Sequence, residues 1–67
     1  MSVAKVVEIT SGSKKGFEDA IQVGLARASK TIDKITGAWI SEQKVMVEKG
    51  KVSEYRVTMR VTFLLKD

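Results

Sequence analysis

The 67-residue sequence contains neither cysteine nor histidine. The first absence excludes disulfide staples, and the two together exclude the usual zinc arrangements. They also remove the side chains most often used as nucleophile and base. The Ser, Lys and carboxylate groups that remain show no spacing that sets a nucleophile beside a base, so a non-catalytic protein is expected. Long hydrophobic runs are missing too. No apolar segment approaches the ~18 residues of a membrane span, and the first residues lack the apolar core of a secretory signal; a cytoplasmic protein with no membrane partner is expected. Nor is there a long run of like charge. The net charge of +4 comes from interspersed groups, densest at Lys14-Lys15 and at Lys49 and Lys51. That pattern suits a solvated surface, and no nucleic-acid partner is expected.

A chain this short forms one domain, residues 1–67. At this size a fold buries only about 60% of the surface that its unfolded chain exposes, so a lone monomer would be marginal. Without disulfide or metal, self-association is the expected support.

What is present has a clear order. "SVAKVVEIT" (2–10) is short and rich in β-branched residues, which predicts a first strand. "SGSKKG" (11–16) predicts a loop. From Phe17 the period changes: Phe17, Ala20, Ile21, Gly24, Leu25, Ala28 and Ile32 recur at three- and four-residue steps, with the charged residues mostly on the other side. Glu18 and Asp19 sit early and the bases later, which suits the helix dipole. The expectation is a helix of about four to five turns, capped by Gly16 or Ser13 and followed by Gly37 just beyond its end. A hairpin with a tight turn at Lys49-Gly50 comes next. In "EYRVTMRVTFLLK", Tyr55, Val57, Met59, Val61, Phe63 and Leu65 point one way and Glu54, Arg56, Thr58, Arg60 and Thr62 the other.

The expected fold is α+β, β-α-β-β, with a three-stranded antiparallel sheet packed on one face by a single helix. The C-terminal strand would lie centrally, between the first strand and its hairpin partner. One helix hides one sheet face, so the other is left open, and a bare face with two long edges favours assembly. If the turn is of the two-residue kind, Glu48 pairs with Lys51. A regular ladder then sets Ile40 against Met59 and Ala38 against Val61 on the helix side. On the open side it sets Gln43 against Arg56, Ser41 against Thr58, and Trp39, the only tryptophan, against Arg60.

The helix "GFEDAIQVGLARASKTI", the "SEQKV…EKGKV" hairpin and the closing "YRVTMRVTFLL" resemble the dodecins, over nearly the whole chain and in the same order and spacing. The resemblance implies a β-α-β-β subunit and a hollow shell of twelve copies built from trimers, with helices outside and open sheet faces inside. It also implies a storage or buffering role, with flavins bound as stacked pairs near two-fold interfaces. Aligned on "EQK" and "GKV", the family's flavin-stacking tryptophan falls at Gly37, and its flavin-contacting glutamine at Arg56. Trp39, two residues along on the same strand face, offers a displaced stacking platform about 7 Å away. Lys44 stands where the family is often basic, suited to a phosphate. A second branch of the family lacks the tryptophan, carries arginine in a "YR" segment and is described as cation-binding; "EYRV" is similar to it.

The ligand-binding candidates are therefore Trp39, Gln43, Lys44, Arg56 and Arg60, with FMN or riboflavin as the implied ligand. A bound cation is the other ligand class. Each residue also has a plainer reading. Trp39 would pack against a sister copy under Arg60, and Arg56 and Arg60 would pair with Glu42, Glu48 or Glu54 of neighbours. Cation binding by Glu8, Glu18, Asp19 or Asp33 would need carboxylates converging across a symmetry axis. Ser11-Gly12-Ser13 with Lys14-Lys15 lies at the helix start but lacks Walker spacing, and is taken as a loop.

Overall fold

The computed structural model describes residues 3–65. The expected strand limits at Ser2 and Lys66 lie outside them. The order is β1 (Ala4–Ser13), α1 (Phe17–Ala28), β2 (Ile35–Glu48) and β3 (Lys51–Leu64). The three strands form one antiparallel sheet in the order β1-β3-β2. The β-α-β-β fold with β3 in the centre is thus as expected. At about 3.3 Å per residue a 14-residue strand runs roughly 46 Å, and the molecule is accordingly 51 Å long and only 19 by 13 Å across.

Lys49 and Gly50 join β2 to β3 with φ of 52° and 77°. Positive φ at both central residues marks the turn that follows the right-handed strand twist. Glu48 faces Lys51, as that turn requires.

Two boundaries differ from expectation. Residues Ser11–Ser13, expected in a loop, continue β1 opposite Val57, Arg56 and Tyr55. The Ser13 hydroxyl donates to the Asp19 carboxylate at 2.6 Å and accepts from the Lys15 amide at 2.9 Å, so it anchors the first turn of α1. Gly16 holds the N-cap position without a side-chain bond. The helix is also shorter than expected. It ends at Ala28, where Ser29 donates both its amide and its hydroxyl to the Leu25 carbonyl. The amides of Lys30 and Thr31 then reach back only three residues, to Arg27 and Ala28. That tightening unwinds the α-helix, and Lys34, at φ 60°, turns the chain into β2. Gly37 therefore lies within β2 and caps nothing.

The buried face of α1 is a stripe of small residues, Ala20, Gly24 and Ala28. They let the helix approach the sheet closely: a Cβ on Gly24 would lie 2.7 Å from Met59 Cε and 2.9 Å from Ser11 Cβ. Ala20, Val57, Met59 and Val61 form the core, flanked by Val7, Ile9, Phe17, Ile21, Leu25 and Ile35. Phe17 meets Tyr55 edge to face at 5.2 Å, worth about 0.5–1.5 kcal/mol beyond its buried area. The helix packs on β1 and β3. β2 is left exposed along nearly its whole length, on both faces.

Candidate functional site

The side of the sheet away from α1 is built in rows, because directly opposed residues of antiparallel strands share a face. One row crosses all three strands as Glu8, Arg60 and Trp39. Arg60 Nε lies 3.7 Å from Glu8 Oε2, and its guanidinium carbon lies 5.5 Å from the centre of the Trp39 ring. The cation is thereby shared between a carboxylate and a π face, an arrangement worth about 0.5–1 kcal/mol at an exposed site. The indole itself remains 51% exposed. The expected Trp39–Arg60 pairing is present.

The neighbouring row, Thr10, Thr58 and Glu42, is polar and carries one carboxylate. The hydroxyls of Thr10 and Thr58 are 3.2 Å apart, and the Ser41 hydroxyl donates to the Thr58 carbonyl at 3.1 Å. Beyond it, Gly12, Arg56 and Lys44 form a third row. Arg56 Nε donates to the Glu54 carboxylate at 2.5 Å. That carboxylate lies over Gly12, where a Cβ would come within 2.6 Å of its oxygen. Glycine at this position leaves room for the ion pair to lie flat across β1. On the other side of the tryptophan row stand Val6, Thr62 and Gly37. A Cβ on Gly37 would meet nothing within 4 Å, so the position beside the indole is open.

The regular ladder expected for the hairpin is corrected here. Pairing is as expected from Gly37 to Ile40 and again at Glu48–Lys51. Between them Glu42 faces Thr58, Gln43 faces Val57, Lys44 faces Arg56, and Met46 faces Glu54. Ser41 is an extra residue in β2 and Ser53 an extra residue in β3, so the two bulges cancel over the length of the hairpin. A third irregularity falls at Thr36. Because strand side chains alternate, the one-residue offset exchanges faces. Lys44 joins Trp39, Arg56 and Arg60 on the open face, while Gln43 turns to the helix side opposite Val57. The expected pairs Ser41–Thr58 and Gln43–Arg56 do not form.

Glu54, expected on this face as an arginine partner from a neighbouring subunit, holds Arg56 of its own chain, and Glu8, which was not expected as an arginine partner, lies beside Arg60. The Glu54-x-Arg56 spacing, two residues apart on one strand face, was visible in the sequence. The Glu8–Arg60 pair needed the β1–β3 register. Among the described residues no group of three or more His, Cys, Asp or Glu converges to hold a metal ion, and no helix there is long and apolar enough to cross a membrane.

Apolar side chains are also left uncovered. Ile40, Val45, Val47 and Val52 are exposed toward the helix side of the hairpin, and Val6 joins Trp39 on the open side. The charged and aromatic rows thus lie between apolar patches, on an arm that this chain alone does not cover.

A family model described as Dodecin matches residues 3–66. The dodecin of Thermus thermophilus is 37% identical over 65 residues, covering 97% of this chain and 94% of its own. The calcium dodecin of Mycobacterium tuberculosis is 32% identical over 66 residues, covering 98% and 93%. The crystal structure of an arginine-to-alanine variant of the Thermus thermophilus dodecin superimposes with a TM-score of 0.95 at 36% identity, over 100% of both chains.

Proposed function

The chain belongs to the dodecin family, and from that premise we propose a non-catalytic, homo-oligomeric shell that takes a flavin, FMN or riboflavin, or a related planar ligand on the open face of its sheet. Twelve copies built from trimers are the assembly that the family resemblance implies. The contacts from this chain are Trp39 as stacking surface, through the ring face that Arg60 does not cover, and Lys44 and Arg56 for a phosphate or other acidic tail. The observation that carries this reading is the half-exposed indole of Trp39 on a face that the helix leaves bare. A large amphipathic ring fixed in place by a cation, with open space beside it at Gly37, suits a flat partner. Storage or buffering of the ligand needs no more chemistry than this.

Titration of the purified protein into riboflavin and into FMN tests the proposal. Stacking on the indole quenches flavin fluorescence, so saturable quenching is expected with both. Unchanged emission with both ligands at micromolar protein would remove the flavin.

A second reading has its own support. Arg56 is already held by Glu54, Gly37 stands at the family's tryptophan position, and one relative is a calcium dodecin. In this reading the open face is a structural interface with ion sites and takes no flavin. Carboxylates would have to come from several copies at once. Calcium calorimetry on the flavin-free protein separates the two readings, since only the second expects heat of binding without any flavin response.

A further inference from the structure

We propose that Ser41 and Ser53 are positioning residues that lock the hairpin in one of two registers, and so decide whether Lys44 or Gln43 faces the open side of the sheet. Both registers share the same ends: Trp39 opposite Arg60, and Glu48 opposite Lys51 across the turn. A bulge-free ladder between those ends is regular and would place Gln43 opposite Arg56 and Lys44 opposite Tyr55. The observed ladder instead carries an extra residue at position 41 in β2 and another at 53 in β3. Nothing in the turn or in the strand lengths selects between them.

The selection is made by hydroxyls. A bulge leaves its extra residue outside the ladder, with local carbonyls poorly paired. At each of the two bulges the extra residue is a serine whose side chain makes good the loss: Ser41 Oγ donates to the Thr58 carbonyl and Ser53 Oγ to the Met46 carbonyl, both at 3.1 Å. The same device recurs at the third irregularity, where Thr36 Oγ1 lies 3.5 Å from the Thr62 carbonyl. Three irregularities, each filled by a hydroxyl residue turned onto a cross-strand carbonyl, describe a pattern of positions and not a single accident. Without those donors the carbonyls are met only by returning to the regular ladder.

The consequence for the ligand rests on the open-face reading given above; the register itself does not. With the bulges in place the face carries Glu42 opposite Thr58 as well as Lys44 opposite Arg56, so the register sets where charge lies beside Trp39 and leaves its sum unchanged. In the slipped register Ser41 and Gln43 replace Glu42 and Lys44 on that face, so a carboxylate and an ammonium leave together and a hydroxyl and an amide take their places.

The chain has no cysteine of its own, so introduced pairs report the register directly. The Lys44→Cys/Arg56→Cys pair should close a disulfide within one chain under mild oxidation, and Gln43→Cys/Arg56→Cys should not, because only the first pair is directly opposed. Adding Ser41→Ala and Ser53→Ala should reverse that order, and Ser41→Thr with Ser53→Thr should restore it. Equal closure of both pairs with the serines intact, or an order unmoved by their replacement, would overturn the proposal. In parallel, affinities for FMN and riboflavin are compared in the cysteine-free proteins. Because the slip removes Lys44 and Glu42 together, the FMN-to-riboflavin ratio should change less in the Ser41→Ala/Ser53→Ala variant than in Lys44→Gln, which removes the ammonium alone. If the disulfide order reverses while neither flavin binds, the ligand reading fails and the register assignment stands.

Discussion

Replacing Trp39 with alanine separates what the indole does within its own chain from what it does for a partner. Within the chain the ring is half exposed, with Arg60 lying 5.5 Å from its centre. Losing that contact costs about 0.5–1 kcal/mol. The exposed half is as large as the half already buried on the sheet. An aromatic of this size buries roughly 200 Å² when fully covered, so about 100 Å² is still available to a ligand or a sister subunit. At about 25 cal/mol per Å² this corresponds to about 2.5 kcal/mol, or roughly sixty-fold in an equilibrium constant. The half already buried on its own sheet is worth about as much, so Trp39→Ala should cost an isolated subunit about 2–3 kcal/mol and, in addition, weaken flavin binding or assembly by an order of magnitude or more. Flavin quenching titrations give the first quantity, and the concentration at which the assembly dissociates gives the second. Denaturant unfolding of dissociated subunits gives the cost within the chain. Flavin affinity and assembly both unchanged, with the whole loss confined to that last experiment, would refute the reasoning, because the exposed half of the ring would then meet no partner.

Three further expectations follow from the geometry. Gly24→Ala gains about 1 kcal/mol of helix propensity but drives a methyl into Ser11 Cβ and Met59 Cε; overpacking of about 1–3 kcal/mol should win, seen as a lower denaturation midpoint. Lys49→Asn should raise the midpoint by the equivalent of about 0.5–1 kcal/mol with an unchanged slope, since asparagine accepts the positive φ at that turn position more readily. Glu54→Gln frees the Arg56 guanidinium at little cost to stability, within about 1 kcal/mol for a pair this exposed; it should raise affinity for FMN more than for riboflavin, and the gain should shrink in salt.

Sequence alternation was enough to identify β3 and its two faces, because Tyr55 to Phe63 alternate without a break. The Lys49-Gly50 turn and the Trp39–Arg60 pair followed from it. The offset at Lys44 did not follow. A bulge adds one residue to one strand and leaves composition and local propensity untouched, so the apolar pattern on either side continues to read as a strand. Its only trace was hydroxyl residues at 36, 41 and 53, whose role appears once the opposing carbonyls are located. The helix end was hidden for a related reason. Ile32 falls on the apolar spacing of α1, and nothing in that spacing tells that Ser29 will take the Leu25 carbonyl and that Lys34 will turn the chain. The geometry of this face is thus legible in the sequence at its centre, where Trp39 meets Arg60, and hidden at its margin, where Gln43 and Lys44 exchange faces and where Glu8 and Glu54 lie beside the arginines of their own chain.

A shell of this kind requires the uncovered face and arm of the sheet to be covered by further copies of the same chain. Light scattering on dilute, purified protein tests this most directly. A particle of about twelve times the 7.4 kDa chain mass is expected, or a trimer if the shell dissociates on dilution. A cooperatively folded particle of 7.4 kDa, with the emission of a water-exposed indole, would contradict it.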